Sequence, residues 1–324
     1  MPMALMKSTL PIAIGGLLAL TIGAGAQEYP AKPIRLVIPF APGGSVDLVA
    51  RVVAAGLSER LGKQVVPDNR PGAGGTLATE LVANAPPDGY TLLQMSLAHA
   101  VNPSVYKLNY DPIKSFVPIA SLGSGASVLS VHPSVPVNSV KELIALAKAK
   151  PGELNAANAG IGSFTHITGV LFSLMAGVDI QQVPFKGGGP AMIDVMGGHS
   201  QVLFNSYVAS TPHVRSGKLK ALGVTDTKRT ALLPEVPTVA EAGVPGYEAA
   251  NWWGFAAPAG TPQPIVEKLH REITAVLNSP EAQKQFAADG ADIKHMSSAQ
   301  FGAFIESEIA KWGRVIKDAK IKLQ

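Results

Sequence analysis

The chain has 324 residues, no cysteine and a formal charge of 27 − 23 = +4 at pH 7. Without Cys it has neither disulfides nor thiolate metal sites. With 15% charged residues and no basic block, a nucleic-acid partner is not expected. A chain of this length with 47% hydrophobic residues has the material for two cores.

The first 26 residues have the order of a signal peptide: Lys7, an apolar run over 10–22, then the small residues Ala24, Gly25 and Ala26. That run is shorter than the roughly 20 residues of a membrane-spanning helix. The expectation is export and cleavage near Ala26, leaving 324 − 26 = 298 residues in a compartment such as the periplasm of a Gram-negative bacterium. An uncleaved anchor is the alternative.

Next comes a phrase that recurs in the second half: an apolar strand, a Gly-rich turn carrying Ser, and an amphipathic helix. Its first copy runs through a strand at 35–40, a turn at 41–45 and a helix at 46–61. Leu48, Val49, Val52, Val53, Leu57 and Leu61 give that helix one apolar stripe, with Ser45 suited to the N-cap and Gly62 to the left-handed stop. Strand 65–68, a Gly-rich turn at 70–75 and a helix to about 85 follow. Strands are then expected at 90–95, 116–121 and 128–131.

A helix near 139–150 leads to the second copy: strand 154–159, turn 160–165 and helix 166–176, with Gly177 as its stop. Strand 182–185 precedes Lys186, Gly187, Gly188 and Gly189, where a helix starts at Pro190. Strands 202–204 and 219–224 come next, and helices 264–277, 280–289 and 298–317 close the chain. Such alternation argues for an α/β fold of parallel sheets with helices on both faces and ligands at the carboxyl ends of strands. Each Gly-rich turn leaves N–H groups unpaired at a helix start, so two facing turns can cradle one small anion.

Other chemistries lack their signatures. There is no G-x-x-x-x-G-K-[ST] loop, no complete G-x-G-x-x-G and no H-E-x-x-H or close His pair. No cofactor or metal is therefore expected. Ser45 stands where a hydrolase nucleophile would, but the elbow needs G-x-S-x-G and here Asp47 replaces the second Gly. A triad of Ser45, Asp47 and His166 remains only a distant alternative.

Several phrases are similar to the Bug (TctC-like) family, the extracytoplasmic receptors of tripartite tricarboxylate transporters. They are YPAKPIRLVIPFAPGGSVD at 29–47, NRPGAGG at 69–75, PPDGYTLL at 86–93, AGIGSFTH at 159–166, PFKGGGPA at 184–191, SGKLKALGVT at 216–225, LPEVPTVAEAG at 233–243 and WWGFAAPAGTP at 252–262. The resemblance implies a two-domain periplasmic-binding-protein fold (type II-like), each domain a mixed, mostly parallel sheet flanked by helices. Domain one is expected at 27–124 plus 249–324 and domain two at 125–248. It further implies a monomer that binds a small organic carboxylate, aromatic or dicarboxylate included, between its domains and catalyses nothing. The implied partner is the membrane subunits of a tripartite tricarboxylate transporter, with a sensor kinase as the alternative.

Carried over, the resemblance places ligand contacts on Phe40, Ala41, Gly43, Gly44, Ser45 and Asp47 and on Gly160, Gly162, Ser163, Phe164, Thr165 and His166. Gly74, Gly75, Ser96, Leu97 and Ala98 complete the first wall; Lys186, Gly187 and Asn205 complete the second. The resemblance also implies that main-chain N–H groups, hydroxyls and bridging waters hold the acid instead of Arg, and the sequence agrees in that neither main loop contains Lys or Arg. Many relatives carry Asp where this chain has Asn205, which adds an amide donor and removes a charge. The structural alternatives are helix caps for Ser45 and Ser163, core packing for Phe164, a satisfied histidine at His166 and a solvated rim charge at Lys186. Asp47 would repel an anion if turned inward, so a cap or dipole role is expected for its side chain. At least one of Trp252 and Trp253 is expected in the core.

Overall fold

A computed structural model describes Met1 and residues 29–288 and 290–318. Apart from Met1, the expected signal peptide lies outside the described residues. The first half runs β1 (Ile34–Ile38), α1 (Ser45–Leu61), β2 (Val65–Asn69), a 3-10 turn (Ala73–Gly75), α2 (Thr76–Ala83), β3 (Thr91–Ser96), α3 (Leu97–Val101) and β4 (Phe116–Val131). It continues through α4 (Val140–Ala149), β5 (Asn155–Asn158), α5 (Phe164–Ala176), β6 (Gln181–Pro184), α6 (Gly188–Met196), β7 (Val202–Ser206), α7 (Tyr207–Arg215) and β8 (Lys220–Val224). The chain then returns through β9 (Ala250–Pro258), α8 (Gln263–Leu277), α9 (Pro280–Ala288), β10 (Ala291–Asp292) and α10 (Ser298–Asp318).

The strands form one hydrogen-bonded path, β2-β1-β3-β9-β4-β7-β5-β6, because β4 serves two sheets. Its Phe116–Ala126 part lies antiparallel to β9, and Ser127–Val131 lies between β7 and β8, antiparallel to both. The outer pairs, β1 with β2 and β3, and β5 with β6 and β7, are parallel. The sheets are therefore mixed, and the antiparallel strands are those that carry the chain between them.

β4 is a single 16-residue strand where the sequence suggests two. Gly123 and Gly125 look like breaks, yet both serve close approach. A Cβ at Gly123 would run into the Asp292 carbonyl of β10, and one at Gly125 would lie 2.8 Å from the Trp253 ring.

The helix ends follow local chemistry. Val49, Val53 and Leu57 of α1 are buried against the first sheet, and Gly62 ends the helix at φ 63. Gly177 ends α5 in the same left-handed way, at φ 62. Trp252 and Trp253 are both core residues. Trp252 donates to Glu308 at 3.2 Å and packs edge-on to Phe301 and Phe304. Among the described residues no helix is long and apolar enough to cross a membrane.

Candidate functional site

The carboxyl ends of β1, β3, β5 and β7 converge where the sheets meet and enclose a cavity of about 30 Å³. From the first sheet it is lined by Phe40, Gly44, Ser45, Val46, Ser96 and Asn251. The second contributes Ala159, Ser163, Phe164, Thr165, Gly188 and Asn205. That space admits about one water molecule, so the two walls are in near contact.

Three helix starts meet there. Gly44, not Ser45, is the N-cap of α1: its extended backbone (φ −91, ψ 168) fills the cap position and no side chain caps the helix. Ser45 is the first helical residue, so its hydroxyl is not spent on a cap, and the first-turn N–H groups of α1 lack side-chain partners. At α5, Ser163 does cap, accepting from His166 N at 3.3 Å, and Phe164 and Thr165 of the first turn line the cavity. The start of α6 is the third: it begins at Gly188 with Gly187 as an uncapped N-cap, earlier than the expected Pro190. Pro at the third position forfeits only an N–H that no helical carbonyl would accept, so the Gly run ahead of it was the available signal.

Asp47 is turned away from the cavity and holds the first loop together. Its carboxylate accepts from Gly43 N at 3.1 Å, Arg51 Nε at 2.9 Å and Asn69 Nδ2 at 2.9 Å. Asn69 also donates to the Phe40 carbonyl at 2.8 Å and accepts from Arg51 at 2.9 Å. Asn69 and Arg51 escaped the sequence reading, although N-R-P-G-A-G-G places an amide at the end of β2 beside the loop. Asn69→Ala removes these bonds at once and leaves Asp47 partly unpaired. It is expected to cost about 2 to 3 kcal/mol, read as a lower urea midpoint with an unchanged m-value; a loss below about 0.5 kcal/mol would remove the hub role.

His166 is a buried residue of the first turn of α5, its Nδ1 accepting from Gly162 N at 3.3 Å. Burial pushes its pKa down to about 4, so it is a neutral structural histidine outside the cavity lining. Among the described residues no hydrogen bond joins it to Ser45 or Asp47, and the geometry does not assemble the triad.

Direct contacts link the walls. Ala41 N donates to Lys186 O at 2.9 Å, and Tyr106 OH to Ile161 O at 3.0 Å. Asn102 donates to Gly74 O at 3.1 Å while its Oδ1 lies against Gly162. Gly43 and Gly187 pack across the same gap, against Gly189 and Ala41 respectively. Gly74, Gly75, Gly160 and Lys186 line a second cavity that shares Phe40 and Ala159 with the first. Ala98 lines a small enclosed space behind Ser96, and Leu97 N donates to Asn251 Oδ1 at 3.1 Å.

Asn205 is the penultimate residue of β7, and both of its amide atoms have a partner: Oδ1 accepts from Ser206 N at 2.9 Å and Nδ2 donates to Gly188 O at 3.3 Å. Asn251, unmarked in the sequence, has its Oδ1 fixed by Leu97, and its Nδ2 has no hydrogen-bond partner among the described residues. It is therefore a spare donor on the cavity wall. The only signal for it was a polar residue in an otherwise apolar strand.

Residues 49–321 match the family described as tripartite tricarboxylate transporter family receptor. The chain belongs to that family. Among receptors of this kind it is similar to the protein BugT of Bordetella pertussis, 38% identical over 98% of this chain and all of BugT. The periplasmic binding protein BugD superposes with TM-score 0.88 at 36% identity, covering 91% of this chain and 99% of BugD. An R. palustris protein solved with adipate superposes with TM-score 0.87 at 38% identity, covering 91% of this chain and 99% of that one. The fold of this receptor-family member is accordingly that of periplasmic binding proteins.

Proposed function

We propose that the protein is a periplasmic solute-binding protein that captures a small organic carboxylate between two lobes and delivers it to a tripartite tricarboxylate-type membrane transporter. One observation carries this reading: a cavity where three helix starts converge with spare donors, and no Lys or Arg in its lining. Charge-assisted hydrogen bonds contribute about 1.5–3 kcal/mol each, so a few amides and hydroxyls suffice to hold a carboxylate. The adipate bound to the R. palustris relative supports the ligand class.

The lobes in this reading are 27–124 plus 249–324 and 125–248. Support comes from β4, which changes partners between Ala126 and Ser127, and from β9, which re-enters the first sheet at Ala250. Rotation at these crossings opens the walls, and ligand favours the closed form by touching both. Residues 1–26 direct export in this reading and are cleaved off near Ala26 in the exported protein.

Native mass spectrometry of gently purified protein, followed by a thermal-shift panel of organic acids, tests the function. A bound acid at about 100 times its Kd stabilises by about 2.7 kcal/mol, a rise of roughly 4 to 5 °C for a protein of this size. If no acid co-purifies or raises the melting temperature, carboxylate capture is wrong.

Asn205 sets the class of acid. Replacing it with Asp brings a charge to the wall and a carboxylate beside the start of α6. Asn205→Asp is expected to weaken a dicarboxylate about tenfold or more and to spare or strengthen the matching amino acid. Calorimetry with both ligands checks this; equal effects on the two would refute it.

A further inference from the structure

Tyr207 opens α7 and is 2% exposed, yet its hydroxyl has no hydrogen-bond partner among the described residues. A buried hydroxyl left unpaired is costly, so what seals it matters. Tyr207 belongs to a small core with Ala126 and Val128, the stretch of β4 that changes sheets. Its cover comes from the other sheet: a Cβ at Gly290 would lie 2.5 Å from the Tyr207 ring and 2.9 Å from Leu232. The next residues, Ala291 and Asp292, form β10, which pairs with Gly125 and Ser124 of β4. Burial raises the Tyr207 pKa, and the charges of Asp226 and Asp292 raise it further, which brings two carboxylates near the phenol. Asp226 follows β8 in one lobe, and Asp292 lies in β10 of the other.

We propose that Tyr207 is a brake on closure: with the lobes together the Gly290 turn seals its hydroxyl without a partner, and rotation at the β4 crossing unseals it, so that the empty receptor favours the open form. This goes beyond the carboxylate reading and rests on its two lobes. Tyr207 is carried by 125–248 and Gly290 by 249–324, so opening shifts one against the other. The hydroxyl then donates to water or to the Asp292 carboxylate. A ligand has to make up that difference before the closed form is populated. Neither Tyr207 nor Gly290 lines the cavity beside Asn205. The brake therefore sets how tightly acids bind without choosing among them.

Tyr207→Phe keeps the ring against Gly290 and removes only the hydroxyl. The control is Ser173→Ala, whose hydroxyl is also buried without a partner but sits in the last turn of α5, the end away from the cavity. The test is small-angle scattering of the ligand-free wild type and both variants, with calorimetry of adipate and malate on each. Tyr207→Phe is expected to have a smaller ligand-free radius of gyration than the wild type and to bind both acids about five- to tenfold tighter, by the same factor. Ser173→Ala is expected to match the wild type in radius and affinity. A wild-type radius and wild-type or weaker affinity in Tyr207→Phe overturns the brake, as does equal tightening in Ser173→Ala. Unequal gains for the two acids overturn it as well, since they would make Tyr207 a ligand contact. In each of these cases acid still binds and contracts the wild type, and the receptor reading stands. If adipate and malate neither bind nor contract the wild type, that counts against the carboxylate reading, and the ligand-free radii decide the brake by themselves.

Discussion

Gly189→Ala is expected to weaken carboxylate binding about 10- to 100-fold while leaving the ligand-free protein as stable as before. Gly189 is the second residue of α6, where Ala suits a helix better than Gly by up to about 1 kcal/mol. Within its own lobe the substitution is therefore harmless. Across the cleft the added Cβ would lie 2.5 Å from the Pro42 carbonyl, a backbone atom in the β1–α1 turn that cannot swing aside. Relieving such an overlap costs about 1 to 3 kcal/mol, and the cost falls only on the form in which the walls touch. Apparent affinity scales with the population of that form, which gives the stated loss. Scattering in solution with saturating ligand should show a larger radius of gyration for the variant than for the wild type. Wild-type affinity in Gly189→Ala would mean that capture does not require this contact, and closure around the ligand would have to be abandoned.

The same residues explain what the sequence disclosed and what it hid. Both Ser-bearing turns were legible because strand, Gly-rich turn and helical stripe are local patterns, and Gly62 and Gly177 mark helix ends by a conformation that only neighbouring residues decide. The contributions of Asn251, Asn102 and Tyr106 were not legible. They sit 154, 28 and 55 residues from their hydrogen-bond partners, and nothing in a local window pairs them. Ser45 was legible as a site residue but not as the first helical residue, since Gly44 adopts the extended cap geometry as readily as Ser would. Lys186 illustrates the remaining gap: its position at a rim follows from the Gly run after β6, whereas the cavity it faces exists only because Tyr106 and Gly74 come from the other sheet. Local chemistry specified the cradle, and tertiary packing specified its size.

Two histidines outside the cavity set the acid limit of the fold. His99 of α3 is 5% exposed, packs edge-on to Phe116, and donates from Nε2 to Pro112 O at 2.7 Å, while its Nδ1 has no partner. Burial pushes its pKa down to about 4 against the partly opposing hydrogen bond to Pro112. His166, buried likewise, also sits at about 4, and its Nδ1 must stay bare to accept from Gly162. Above pH 6.5, the ordinary histidine value, both states of the protein hold neutral rings and stability does not depend on them. Between 6.5 and 4 the unfolded chain binds the protons and the folded chain does not, so stability falls as pH falls; below about 4 the slope ends. Each ring accounts for about 3 kcal/mol over that window, together a large share of the about 5–15 kcal/mol by which proteins are stable. Urea unfolding at pH 7 and pH 4.5 should show this loss. His99→Gln, whose amide can still donate to Pro112, and His166→Asn, whose carbonyl can still accept from Gly162, should each remove about half of the difference, with carboxylate titration left as a common background. An unchanged difference in both variants would assign acid lability to the carboxylates alone.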